Sequence, residues 1–389
     1  MLLHYLVVAL GLGLVQSFKN NIREPICQDL KFYLNAEAQN FALPSYPPST
    51  DAKAVGKYLS SFNSSVIKQN ITVSGTYAIS ATYCRPAQNV PGREATVQLL
   101  LHGVGYTKEY WSGIDFDNTT FSGQYSWVHH ATSQGYSTLA IDNLGNGQSD
   151  HPDPISVVQL PLQLEIIRAV ISSLRHGDRL DSKFDKVVFV AHSYGSLVAR
   201  AMATLYPKKG TGADAYILTA SSTDLQGFQA AGGLFKPRAA SVVTPSKFGH
   251  LLPAYVQILP SSLRETVYSL PEEYDSGMLH LDTEQPHVFA VGELATFKAN
   301  ITSEFEGPVM YLTGRSDAIV CDKAGNITVT FPDCGIGRTS NPGFSKARFP
   351  KAKPFSTYVP HGAGHNLNLH YAAVESFGAA HNFLDAAGF

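Results

Sequence analysis

Between Val190 and Ser196 the chain reads Val-Ala-His-Ser-Tyr-Gly-Ser, and this stretch restricts the possible folds more than any other. The run Lys186–Ala191 leading into it is apolar and β-branched, as a buried strand requires. Beyond it, Leu197, Val198, Met202 and Leu205 recur at helical spacing and predict an amphipathic helix. A strand that turns into a helix at one residue bends too tightly for large neighbours. Ser193 has the small residues Ala191 and Gly195 two positions to either side. Such a bend holds the Ser193 hydroxyl clear of the sheet, where a base and a substrate can both reach it. These are the features of a nucleophile elbow in an Ala-x-Ser-x-Gly form.

Strand signals recur at Ala95–Leu101, Ser137–Asp142, Lys186–Ala191, Ala215–Thr219, Val309–Thr313 and Ser356–Val359, separated by helix-length intervals. The clearest helical pattern is Val157–Leu174, with Leu160, Leu164, Ile167, Val170 and Ile171 on one face. This alternation predicts an α/β fold with a mostly parallel central sheet flanked by helices. Upstream, Ile71–Tyr83 alternates around Gly75 and predicts a hairpin, while residues 18–66, with Pro44–Ser49, read as irregular. The 86 residues from Ser221 to Glu306 carry no strand of the core type. They hold short helical patterns (Ser261–Leu270, Phe289–Phe297) broken by Pro237, Pro245, Pro253, Pro260, Pro271 and Pro286. A structureless loop of that length is improbable, so the segment is expected to be an inserted helical cap over the site. The expected organisation is a signal peptide (1–17), an N-terminal extension (18–66), core (67–220), cap (221–306) and core again (307–389).

A chain of 389 residues can bury a large core. Its net charge of −2, without a basic block, gives nucleic acid no footing as a partner. The apolar and Gly run Leu6–Val15, followed by Gln16-Ser17, reads as a secretory signal cleaved after Ser17 rather than a buried N-terminal element. It is too short to cross a bilayer, and no other stretch is long and apolar enough, so no membrane span is expected. Sequons at Asn63, Asn70, Asn118, Asn300 and Asn326 fit a glycosylated protein. The four cysteines, Cys27, Cys84, Cys321 and Cys334, allow three connectivities, of which Cys27–Cys84 with Cys321–Cys334 is the simplest. No Cys-x-x-Cys or Cys/His cluster supports the rival reading of a zinc site, and neither metal nor cofactor is expected.

A serine hydroxyl needs a base to act as a nucleophile at neutral pH. His365 follows the last strand signal in His361-Gly-Ala-Gly-His365, a flexible loop, and His361 is its main rival. His370 and His381 fall within the expected C-terminal helix, and His192 reads as packing. The base in turn needs an acid to fix its tautomer. Asp317, in Gly314-Arg-Ser-Asp317 after the strand Val309–Thr313, has that position, with Asp224 and Asp322 as alternatives. The chain order Ser…Asp…His favours Asp317. An oxyanion hole requires preorganised donors. The Tyr194 N–H supplies one, and Val104, in the Gly loop after Leu99–Leu101, supplies the other unless that loop is a plain turn. Tyr106, Tyr110 and Trp111 either wall a pocket or belong to the core.

Together these pieces resemble the α/β-hydrolase superfamily, and within it the capped serine hydrolases of secreted type. The carrying motifs are His102-Gly103, Asp142-Asn-Leu-Gly145-Asn-Gly147-Gln-Ser149, the elbow at Ser193, Gly314-x-x-Asp317 and Gly362-Ala-Gly364-His365, in family order from Ile71 to the C-terminus. The resemblance implies Ser193 as nucleophile, Asp317 as acid, His365 as base, and Val104 with Tyr194 as oxyanion donors. Two departures occur: Ala191 replaces the commoner glycine, and Leu144 stands where Arg is frequent. A serine in place of an aspartate nucleophile argues against epoxide hydrolase or haloalkane dehalogenase chemistry. The implied activity is hydrolysis of a carboxylic ester or lactone, on a small-molecule substrate bound between apolar walls. C–C bond cleavage, lyase or condensation chemistry on the same triad is the alternative.

Overall fold

The computed structural model describes residues 24–46, 54–55, 57–58, 61, 69–116, 123–180, 182–223, 236–260, 267–268, 270–296, 302–321, 334–335 and 340–389. Its strands are β1 (Ile26–Phe41), β2 (Asn70–Arg85), β3 (Thr96–Leu101), β4 (Ser137–Ile141), β5 (Lys186–His192), β6 (Ala215–Thr219), β7 (Arg238–Ala239), β8 (Tyr255–Gln257), β9 (Phe289–Ala290), β10 (Val309–Leu312) and β11 (Phe355–Tyr358). Eight of them form one sheet in the order β1-β2-β4-β3-β5-β6-β10-β11. β1–β2 and β2–β4 pair antiparallel, and every later pair is parallel. β3, β4, β6 and β10 are buried along their whole length, as strands covered on both faces must be.

The principal helices are α1 (Trp127–Ser133), α2 (Leu160–His176), α3 (Tyr194–Leu205), α4 (Ser276–Glu284), α5 (Val291–Ala295) and α6 (Ala373–Ala386). The helix expected over Val157–Leu174 begins at Leu160, because Pro161 fits only a first turn, and ends on Gly177 with φ 76°.

Three expectations are corrected. Part of the stretch read as irregular is β1, whose Phe32, Leu34, Ala36, Ala38 and Asn40 face inward in strict alternation. Two alanines and an asparagine carry that period, which hid it. Asn40 Nδ2 donates to the carbonyls of Ser156 (2.8 Å) and Val157 (3.0 Å), tying the strand end to the start of α2. The hairpin at Gly75 is instead one straight strand, with Gly75 opposite Ala36. A Cβ at Gly75 would lie 3.1 Å from the Tyr77 ring, so the glycine makes room for a side chain rather than a turn. The segment between β6 and β10 also contains strands: β7, β8 and β9 form a small antiparallel sheet that does not join the main one. Of its expected helices, Phe289–Phe297 opens as β9 and turns into α5, and most of Ser261–Leu270 lies outside the described residues.

Cys27 and Cys84 are joined, as a directly opposed pair of β1 and β2, and Cys321 is joined to Cys334. Asn70 is exposed at the start of β2, while Asn63, Asn118, Asn300, Asn326 and residues 1–17 lie outside the described residues. Among the described residues no helix is long and apolar enough to cross a membrane.

Candidate active site

Ser193 sits between β5 and α3 with φ 51° and ψ −116°, a left-handed conformation that costs a β-substituted residue energy and that its surroundings must hold. Its N–H donates to the carbonyl of Thr219 at the end of β6 (2.9 Å). A Cβ at Gly195 would stand 2.6 Å from the carbonyl oxygens of Leu101 and His102, so the small residue there lets α3 lie against the end of β3.

The loop after β10 carries Asp317 and the loop after β11 carries His365. Their backbones touch: a Cβ at Gly314 would meet the Ala363 carbonyl at 2.3 Å, and the Ser316 N–H donates to that carbonyl (3.0 Å). His365 Nδ1 lies 2.9 Å from both Asp317 carboxylate oxygens, and His365 Nε2 lies 2.7 Å from Ser193 Oγ. Asp317 Oδ1 also accepts the N–H groups of Ile319 (2.8 Å) and Val320 (3.0 Å), which hold the carboxylate in place. Asp317 is inaccessible, and Ser193 and His365 expose only 9% and 3% of their surfaces. An Asp–His–Ser chain in this order keeps the Nδ1 proton on the acid side and leaves Nε2 to take the hydroxyl proton.

Gly103 lies directly against the serine, where a Cβ would approach Ser193 Cβ to 2.9 Å. Val104 is the next residue in the chain and is buried. Among the described residues no acceptor takes the N–H of Val104 or of Tyr194, the two groups expected to face a developing oxyanion.

The other candidates are elsewhere. His361 is exposed. His370 was expected in the C-terminal helix but precedes α6, where burial lowers its pKa to about 4 and its Nδ1 contacts the Asn366 carbonyl (2.8 Å). His381 lies in α6, buried against Gln98. His192 stacks on Tyr110 (4.3 Å between centroids), and burial drives its pKa well down. Its ring also lies 5.3 Å from that of His365. Asp224 and Asp322 are outside the described residues. Tyr110 and Trp111 belong to the core, and so does the ring of Tyr106, although its hydroxyl enters a polar cluster. Buried Asp142 organises its turn, accepting from the N–H groups of Lys108 (2.8 Å) and Gln148 (2.9 Å). Leu144, at the variant position of that turn, is fully buried.

Sequence reasoning missed two buried carboxylates of the segment between β6 and β10. Asp282, on α4, accepts the hydroxyl protons of Tyr106 (2.9 Å) and Tyr268 (2.8 Å). Glu293, on α5, accepts from Gln163 (2.8 Å), Asn146 (3.1 Å) and the Ala290 N–H (2.8 Å). Gln163 in turn accepts the hydroxyl proton of Tyr194 (2.7 Å). Burial raises the two carboxyls to about 6 and about 7. No local pattern marks either residue, since each lies on a helix of nine residues or fewer.

The model of the alpha/beta hydrolase family matches residues 98–377. No curated protein matches the chain with significance. Among solved structures, an epoxide hydrolase from Vigna radiata is similar at 17% identity, with TM-score 0.51 and coverage of 80% of this chain and 95% of that one. A thermophilic esterase from Thermogutta terrifontis is similar at 14% identity and TM-score 0.50, covering 81% and 96%. At such identities the likeness is one of fold.

Proposed function

Because the chain belongs to the alpha/beta hydrolase family and is a hydrolase, we propose that it cleaves a carboxylic ester or lactone through an acyl-enzyme on Ser193. His365 takes the proton of Ser193 as the hydroxyl attacks the carbonyl carbon, and Asp317 stabilises the imidazolium that forms. The N–H groups of Val104 and Tyr194 receive the developing oxyanion. His365 then protonates the departing alkoxide, and a water activated by the same imidazole releases the acid. No metal or cofactor enters these steps. The observation that carries this reading is the unbroken Ser193–His365–Asp317 chain, with spacings of 2.7 and 2.9 Å, together with the N–H groups of Val104 and Tyr194, which have no acceptor among the described residues. A hydroxyl nucleophile with a carbonyl-directed donor pair suits acyl transfer.

In this reading the segment 221–306 is the cap. Support comes from its contacts with the site loops: the Asn366 N–H donates to the Val267 carbonyl (2.9 Å) and the Tyr371 N–H to the Glu273 carbonyl (3.0 Å). The protein is further proposed to be secreted and glycosylated after removal of residues 1–17. Two disulfides in one chain fit an oxidising compartment.

The test is Ser193→Ala, assayed with p-nitrophenyl esters and simple lactones. It is expected to abolish turnover, by about 10⁴-fold or more, without lowering the melting temperature. A fluorophosphonate should label the natural protein and not the variant. Undiminished ester hydrolysis by Ser193→Ala would refute the assignment.

A further inference from the structure

Three hydroxyl and amide groups and one carboxylate meet at the edge of the site in an arrangement with a fixed direction. Asp282 Oδ2 accepts from both Tyr106 and Tyr268. A phenol that donates its only proton can still accept one, and Tyr106 Oη does so from Asn366 Nδ2. The chain therefore runs from Asn366 through Tyr106 to Asp282, and its members come from three separate parts of the molecule. Tyr106 stands two residues after Val104. Asn366 follows His365 directly. Asp282 belongs to α4, outside the main sheet.

Packing alone does not account for a carboxylate at this place. Asp282 is buried with no cation among its partners in the described residues, and taking an ion out of water costs several kcal/mol unless hydrogen bonds replace the solvent. A small apolar residue would avoid that cost. What the carboxylate supplies is an acceptor strong enough to orient two phenols. One of them, Tyr106, packs its ring on Tyr110 at 5.3 Å and has no other described acceptor for its proton. The second, Tyr268, lies on the same side as Asp282, its ring against Tyr274 (4.8 Å) and His370 (5.4 Å). The two phenols thus differ in their links: among the described side-chain hydrogen bonds only those of Tyr106 join Asp282 to Asn366, whereas Tyr268 meets the His365 loop through its ring contact with His370.

Resting on the proposed roles of Val104 and His365, we infer that Asp282 is a positioning residue, which through Tyr106 and Asn366 holds the Val104 arm and the His365 loop in register. A displacement of either loop misaligns the oxyanion donor or the base without removing any reacting group. Such misplacement lowers the rate of the chemical step more than substrate affinity.

The experiment compares Tyr106→Phe, Asp282→Ala, the double variant and Tyr268→Phe, using p-nitrophenyl butyrate turnover, fluorophosphonate labelling rate and thermal melting. Tyr106→Phe removes one oxygen and keeps the ring packing, so it decides the matter even if Asp282→Ala does not fold. It is expected to lower kcat and the labelling rate about 10- to 100-fold with KM within about twofold. Asp282→Ala should fall in the same range, and the double variant should be no worse than the worse single one, as members of one chain are non-additive. Tyr268→Phe, which loses a bond to the same carboxylate but keeps its ring against His370 and leaves the Asn366–Tyr106–Asp282 link in place, should keep kcat within about twofold. The inference is overturned if Tyr106→Phe turns over normally, if the two losses multiply, or if Tyr268→Phe loses as much as Tyr106→Phe. Failure of the natural protein to be labelled at Ser193 would instead overturn the proposed function itself.

Discussion

At Gly103 an added Cβ would stand 2.9 Å from Ser193 Cβ and 3.1 Å from the His192 ring. Neither neighbour can yield: the serine is held by the Thr219 carbonyl and the imidazole is buried against Tyr110. Gly103→Ala should therefore push the Val104 arm away from the nucleophile, lowering kcat about tenfold or more while the protein still folds. Wild-type kinetics from that variant would show that the arm has slack. Glu293 allows a test of a different kind. Its folded pKa of about 7 lies above the ordinary 4.5, so the folded state holds this proton more tightly than the unfolded chain. Its contribution is thus favourable in acid and is lost as pH rises from about 4.5 to about 7, with little change above. Asp282, raised to about 6, acts in the same direction. Buried and half-buried histidines oppose both: His130, His287 and His370 are lowered to about 4 and His381 to about 3, which favours the fold as pH rises. The wild-type profile mixes the two. The difference between wild type and Glu293→Gln isolates one group and should decline over that window by on the order of 3 kcal/mol. Urea unfolding at pH 5 and pH 8 measures it, and parallel profiles would exclude the assignment.

At the scale of elements, the loop after β10 is held where Asp317 needs it. The Cys321 N–H donates to the Asp317 carbonyl (2.8 Å), and the Cys321–Cys334 bond anchors the end of that turn. Cys334→Ser should lower stability by about 3 kcal/mol, the chain-entropy value for so short a loop, and should slow turnover by loosening the acid. Equal unfolding midpoints with and without this disulfide would count against it. The elements also differ in how visible they are in the sequence. Strands β3, β5, β6 and β10 are mostly apolar runs, legible because both faces are covered. β1 and β2 pair over 16 residues that are 29 or more positions apart, and their weak alternation gave an irregular segment and a false hairpin. The short strands β7, β8 and β9 have two or three residues each, too few to carry a period.

Over the whole molecule, β1 is the outermost strand of the eight-stranded sheet and covers β2 along its length. A chain beginning at Ala42 would lose the burial of Phe32 and Leu34 and leave β2 as a long open edge, a known route to aggregation. It should be largely insoluble, or melt well below the full chain; an unchanged melting temperature would show that the strand is dispensable. The residues of the elbow, and the order of Ser193, Asp317 and His365 along the chain, are readable because a tight strand–helix turn and a loop after a strand are local matters of sterics and composition. The sequence by itself determined that alternation and nominated those three residues. Tertiary structure alone decided that His365 lies 2.7 Å from Ser193, that β1 completes the sheet, and that Asp282 and Glu293 are buried. Burial is non-directional and acts between segments far apart in the chain, so which surfaces meet, and which lone carboxylates they enclose, is settled only when the chain has packed.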